Sequence, residues 1–446
     1  MLSLPGVQSI VLSAIFSFAV ASLAASAETN APLPSSELDP AVAAAIASIR
    51  VIDNHSHDDP ASPDRGKNWR VDDPLGKPNY PDVVPLQRNN PAWIRAWHAL
   101  YGYRYSDMNT EHLRALLQTK LAMMHKAGDA WPAWVLDKAG VDVAFVNAPH
   151  VGAGQQNSRF RWVPFADPML WPYLGTKSRM AYPGGAISIA QLMQEANVSV
   201  LPATLDGYET TVVQPTLERW KQSGAPAVKF LAAYARGLDF APVDRDTAAP
   251  LYAKGFSGAA LSPAEEKVLE DCLFNDIAAR AGALGLVVHI HTGNGNGPYF
   301  DNSRANPGLL EPAIDSDPLR HTNFVLLHGG WPFYLVGQAM MDKPNTFADF
   351  SAQTFYLTPH ALSEVLRGWF EWHPEKVLFG SDAYSDVNTP LSDYEEKEWL
   401  MTWKARQAIG IALTAMMKDG EITRARAIEI AHMVLHDNAA ALYGIR

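Results

Sequence analysis

The sequence predicts an α/β fold, a (β/α)8 barrel of the TIM-barrel class with a helical insertion after its first strand. Three observations carry that expectation. Eight short apolar runs recur along the chain, separated by stretches of helical periodicity. The runs are apolar nearly throughout instead of alternating, as strands of a parallel sheet covered on both faces are. Five of them carry His, Lys or Asp at or near their C-terminal ends, which a closed barrel gathers on one rim. No GxGxxG follows a strand and no Walker A occurs, so nucleotide-binding open sheets gain no support.

The elements follow in order. The run "IVLSAIFSFAVASLAA" (10–25) with Ala25-Ser26-Ala27 after it has the form of an export signal cleaved near residue 27. The run is short for a spanning helix, no later stretch could cross a bilayer, and the mature protein is expected to be periplasmic or secreted. A polar leader, the helix former "PAVAAAIASI" and the first strand "RVIDNH" come next. Residues from 58 to about 90 are rich in Pro, Asp and Asn, which is loop chemistry. "PAWIRAWHALYGY" and "TEHLRALLQTKLAMMHKAG" then read as helices, so that about 58–135 forms the insertion in a domain of 28–446. Its Trp93, Trp97, Tyr101 and Tyr103 offer aromatic surface for a lid or for a contact with a second copy. The remaining strands are expected at "VDVAFVN" (141–147), "VSVLPATL" (198–205), "APAVKFL" (225–231) and "GLVVHIH" (285–291). "NFVLLH" (323–328), "NTFADFS" (345–351) and "KVLFGSD" (376–382) complete the eight.

With 446 residues and 48% hydrophobic content the chain can bury a large core. A net charge of -11 without a basic run argues against nucleic acid or an anionic membrane as partner. Cys272 is the only cysteine, so no intrachain disulfide exists, and its helical context makes it a core residue.

The polar strand ends are where chemistry is expected. His55 and His57 lie at i and i+2 of one strand, so both side chains face the barrel mouth. Lys229 is on strand four, His289 and His291 on strand five, His328 after strand six and Asp382 after strand eight. Imidazoles from facing strands with a carboxylate form a nitrogen and oxygen donor set suited to Zn2+. Taken singly, His328 reads as a core histidine, Lys229 as a solvated strand end and Asp382 as a helix cap. Together on one rim they point to a divalent metal centre. His291, next to the loop "TGNGNG", is the expected ligand, and His289, one layer deeper, a packing residue. Tyr234 and Arg236 follow the lysine strand, where a cation can meet a substrate carboxylate, and Trp331 is a candidate pocket wall.

This ordered set resembles the amidohydrolase superfamily, and the strings "VIDNHSH", "VHIHTGNG", "VLLHGGWPF", "ADFSA" and "VLFGSDA" are similar to its amidohydrolase-2 branch. The early insertion resembles uronate-isomerase-like and FluG-type members. The resemblance implies that His55, His57 and Asp382 bind one metal, and that His291 and His328 bind a second or orient substrate. It also implies that Lys229 matches a lysine that some members carboxylate as a bridging ligand, while others use one metal. The activity implied is hydrolysis of a C–N or C–O bond in a small substrate. Asp382 would be general base and then acid, and His328 would polarise the scissile carbonyl. A nonoxidative decarboxylase, an isomerase of sugar acids and a non-catalytic binding barrel are the alternatives. Homo-oligomerisation is compatible with all of them.

Overall fold

A computed structural model describes residues 38–57, 69–76, 83–148, 159–174, 188–297, 299–386 and 388–445. The expected export signal and the exit Asp58-Asp59-Pro60 lie outside the described residues. Eight parallel strands run in chain order: β1 Val51–His57, β2 Val141–Asn147, β3 Phe160–Val163, β4 Ala227–Phe230, β5 Val287–His291, β6 Phe324–Leu327, β7 Thr346–Asp349 and β8 Val377–Leu378. β1 to β3 and β4 to β8 form continuous ladders. Backbone hydrogen bonds join the two ladders at both edges. Lys229 N–H donates to Pro164 O (2.8 Å) and Ala166 N–H to Lys229 O (2.8 Å). On the other side Asn54 N–H donates to Phe379 O (2.9 Å), Asp382 N–H to His55 O (2.7 Å) and His57 N–H to Ala383 O (2.7 Å). These bonds leave no free edge between β8 and β1, as a (β/α)8 barrel requires.

The third strand is a correction. It is "FRWV" at Phe160–Val163, paired with β2 from Ala144↔Phe160 to Asn147↔Val163, and not the run at 198–205. In that run Pro202 has no N–H for a ladder. Val200 is 72% exposed, and the Thr204 hydroxyl caps the short helix Leu205–Tyr208 by accepting from Gly207 N–H (3.0 Å). "FRWV" went unread because Arg161 and Trp162 are only half-buried, which breaks the continuous apolar signal.

Inside the barrel Ile52, Val143, Phe145, Val163, Val325 and Leu378 pack together. The C-terminal helix Asn438–Tyr443 closes its lower end, because Asn438 Nδ2 donates to Pro374 O (2.8 Å) and Val377 O (2.9 Å) at the start of β8. Cys272 is buried in the surrounding helical layer, and burial pushes its thiol up to about 12.

The insertion supplies α2 Ala92–Tyr101, α3 Thr110–Ala127 and α4 Trp131–Ala139, with α1 (Pro40–Ser48) preceding β1. Trp93 and Trp97 are buried in one cluster with Phe355, Tyr394 and Trp399, so their aromatic surface is used within the chain. Lys120 of α3 is fully buried between Glu396 (2.9 Å) and Glu395 (3.1 Å) of the long helix Tyr394–Lys418. Its ammonium also donates to Pro390 O (2.8 Å) and lies 4.7 Å over the Trp69 ring. Among the described residues no helix is long and apolar enough to cross a membrane.

Candidate metal centre

A bulge in β1 builds the centre of the site. Opposite β2 the register advances from Asp53↔Ala144 to Ser56↔Val146, so β1 carries one extra residue there. A bulge breaks the strict alternation of faces and re-aims side chains. Asn54 and His55 consequently both face the interior: Asn54 Nδ2 donates to Asp349 Oδ2 (2.8 Å), and His55 Nε2 lies 3.1 Å from Asp382 Oδ1. Asp53 points the other way, accepting from Ser381 N–H (2.8 Å) and the Ser381 hydroxyl (2.6 Å), which ties β1 to the end of β8.

Five expected residues meet at the barrel mouth. His57 Nε2 is 3.2 Å from the same Asp382 oxygen that His55 approaches. The His328 ring lies 5.1 Å from His55 and 4.7 Å from His291, centroid to centroid. The ligand atoms of His55, His328 and Asp382 all fall within 4.8 Å of one another. Lys229 is fully buried nearby. Burial, then the Lys229 charge, keeps His55 and His291 well below the usual imidazole range, so both are neutral donors. Burial does the same to His328 and brings Lys229 down to about 8. Burial raises Asp382, but His328, His57 and Lys229 together outweigh it and hold the carboxylate below its ordinary range.

Whether these residues fit a cation is tested by their unpaired atoms. Among the described residues, both ring nitrogens of His55, Nε2 of His291 and Nζ of Lys229 are buried without a hydrogen-bond partner. His55 approaches Asp382 without hydrogen-bond geometry, which suits two ligands aimed at one point better than a pair bonded to each other. Unpaired buried polar atoms are costly unless something binds them. The donor set fits a divalent ion. His328 differs, since Nδ1 is 2.9 Å from Ser351 Oγ and Nε2 is 3.1 Å from His291 Nδ1. Proximity includes it in the cluster, but both its nitrogens are already engaged, which does not support direct polarisation of a carbonyl.

Above the cluster opens a cavity of about 390 Å3 floored by His57, His291, His328 and Asp382. Tyr234, Phe355, Tyr356 and Tyr384 form aromatic walls, the loop Asn294 to Gly297 one side, and Val83 and Leu86 of the insertion another. Tyr234 lines the cavity, 4.8 Å from the His291 ring and accepting from Asn296 N–H (2.9 Å). Arg236 is a correction. Its guanidinium pairs with Glu270 (3.0 Å) and Asp271 (2.6 Å) and packs over Phe240, away from the cavity. Trp331 is another: its ring stacks on Tyr334, and only its carbonyl serves the mouth, accepting from Asn294 N–H (2.5 Å). No Lys or Arg is among the described residues lining the cavity.

Fold and site define a (β/α)8 barrel of the metal-dependent hydrolase type with a candidate divalent-metal centre at its mouth. The chain belongs to the amidohydrolase family, which matches residues 187–445. It is 28% identical over 233 residues to protein fluG of Emericella nidulans, a match covering 49% of this chain and 26% of that much longer protein. Among solved structures it is similar to glucuronate isomerase from Caulobacter crescentus (TM-score 0.63, 13% identity, 93% of this chain and 97% of that one). It is also similar to a Lactobacillus casei protein provisionally described as a metal-dependent hydrolase (TM-score 0.62, 17% identity, 89% and 96%).

Proposed function

We propose that the protein hydrolyses a C–N or C–O bond of a small molecule held in the cavity above the metal centre. The observation that carries this reading is the convergence of His55 and His57 on one Asp382 oxygen at the cavity floor. His55, His57, His291 and Asp382 would hold the ion, and a mixed nitrogen and oxygen set of this kind favours Zn2+. When bound, such an ion polarises a carbonyl and lowers the pKa of its water to roughly 7. Asp382, kept ionised by its neighbours, is the residue that accepts the proton of the attacking water and returns it to the leaving nitrogen or oxygen. Lys229 would hold a second ion if carboxylated, and otherwise its amine faces the Asp382 charge. Tyr234, Tyr356, Phe355 and Tyr384 suit a flat or apolar substrate body, with Asn294 and Asn296 as neutral polar partners. A substrate carboxylate is not met by Arg236, which two acidic residues already hold.

Metal analysis of the purified protein and turnover on a panel of amides, esters and lactones test the proposal. Stoichiometric metal is expected, together with a loss of roughly 10²- to 10⁴-fold in kcat for Asp382→Asn. Absence of bound metal, or full turnover by that variant, would refute it. Export with removal of residues 1–27 belongs to the same proposal, and N-terminal sequencing of the mature protein checks it.

A further inference from the structure

Behind two of the imidazoles runs a buried chain of hydrogen bonds that fixes which nitrogen of His328 and of His291 carries its hydrogen. Asp349, the last residue of β7, accepts on Oδ1 from His328 N–H (2.7 Å), Ser351 N–H (3.1 Å) and the Ser351 hydroxyl (2.5 Å). Its Oδ2 accepts from Asn54 Nδ2. A carboxylate only accepts, so the single hydroxyl hydrogen of Ser351 points to Asp349. Ser351 Oγ is then an acceptor toward His328, and Nδ1, 2.9 Å away, carries the hydrogen. A neutral imidazole has one N–H. His328 Nε2 is therefore bare and accepts from His291 Nδ1 across 3.1 Å. His291 Nε2 is left as a buried lone pair with no partner among the described residues.

We infer that Asp349 and Ser351 are positioning residues that act through His328 to hold His291 in the tautomer presenting its Nε2 lone pair to a cation. The role rests on the proposal that the cluster binds a divalent ion, whereas the tautomers follow from the hydrogen bonds between neutral imidazoles. Two further features belong to the device. A Cβ at Gly380 would meet Ser351 Cβ at 2.8 Å and Asp349 Oδ2 at 3.1 Å, so glycine there leaves the space that the relay fills. Tyr443, from the C-terminal helix, donates its hydroxyl to Asn54 Oδ1, which turns the Asn54 amide so that Nδ2 faces Asp349.

Ser351→Ala removes the acceptor for the His328 Nδ1 hydrogen. His328 can then carry its hydrogen on Nε2, donate to His291 and drive the hydrogen of His291 to Nε2. The test uses the full chain with histidine labelled in nitrogen-15. Imidazole tautomers are read by NMR in the metal-free protein, with signals assigned by His291→Gln and His328→Gln. Zn2+ affinity is read separately by chelator competition. In the wild type both His291 and His328 are expected to carry hydrogen on Nδ1. In Ser351→Ala the His291 hydrogen is expected on Nε2, with Zn2+ bound roughly 10- to 100-fold more weakly, the usual effect of losing such a support. Ser351→Thr, which keeps the hydroxyl, is expected to restore both readings. A wild-type His291 with its hydrogen on Nε2 overturns the inference without recourse to any variant. So does a Ser351→Ala protein with unchanged tautomers and unchanged affinity. Wild-type protein that takes up no Zn2+ while its tautomers are as stated overturns the metal-binding reading instead.

Discussion

Four non-glycine residues adopt positive φ among the described residues, and His328, Ala352 and Asp382 among them line the cavity. A left-handed backbone at such residues costs about 1–3 kcal/mol each and persists only where the surroundings demand it. Here the demand is visible, because Asp382 N–H donates to His55 O and His328 N–H to Asp349. Elsewhere a single buried charge has a predictable signature. Lys404 is buried with the Thr354 carbonyl (2.9 Å) as its hydrogen-bond acceptor among the described residues, and burial lowers it to about 8 from 10.5. Between those values the unfolded chain binds more protons than the folded one, so this residue makes stability rise with pH across that window. Below about pH 8 its full destabilisation is present. Urea unfolding of wild type and Lys404→Met at pH 7 and pH 10 is expected to show the wild type gaining on the variant, by on the order of 3 kcal/mol, at the higher pH.

At the scale of elements, the insertion is attached by charge as well as by aromatic packing. The α3 residue Lys120 pairs with both Glu395 and Glu396, which also accept from Trp131 Nε1 (2.7 Å) and the Tyr101 hydroxyl (2.6 Å). Lys120→Met would leave two carboxylates buried without their cation, a defect worth about 3–5 kcal/mol. Chemical denaturation measures it, and a change below 1 kcal/mol would show that the carboxylates find another partner. Seven of the eight strands were legible in the sequence because each is a short apolar run next to a helix. The eighth was not, since "FRWV" is held by its pairing to β2 and not by its own apolarity.

For the whole molecule, the barrel brings the proposed ligands from β1, β5 and the end of β8 to one point, so an ion bound there would cross-link the ring. Zn2+ at 100 times its Kd is expected to add about 2.7 kcal/mol to the stability of the wild type, by mass action on the folded state. Chelator should reverse the gain, and Asp382→Asn should abolish most of it. Thermal unfolding at several Zn2+ concentrations checks this, and a midpoint independent of Zn2+ would show that the folded chain does not bind the ion.

By itself the sequence determined the barrel, the rim on which the polar groups gather and the candidates His55, His57, Lys229, His291, His328 and Asp382. Those features follow from local periodicity and from the rule that parallel barrels display their strand ends together. Only the tertiary structure decided which cations are free. Arg236 looked available until Glu270 and Asp271, more than thirty residues further along, folded against it. The parts played by Asn54, Asp349, Ser351 and Tyr443 were also decided there, since each depends on a bulge or a crossing between elements distant in the chain. A strand's apolarity is written in its own residues, whereas a hydrogen bond needs a partner that only the closed barrel brings within reach.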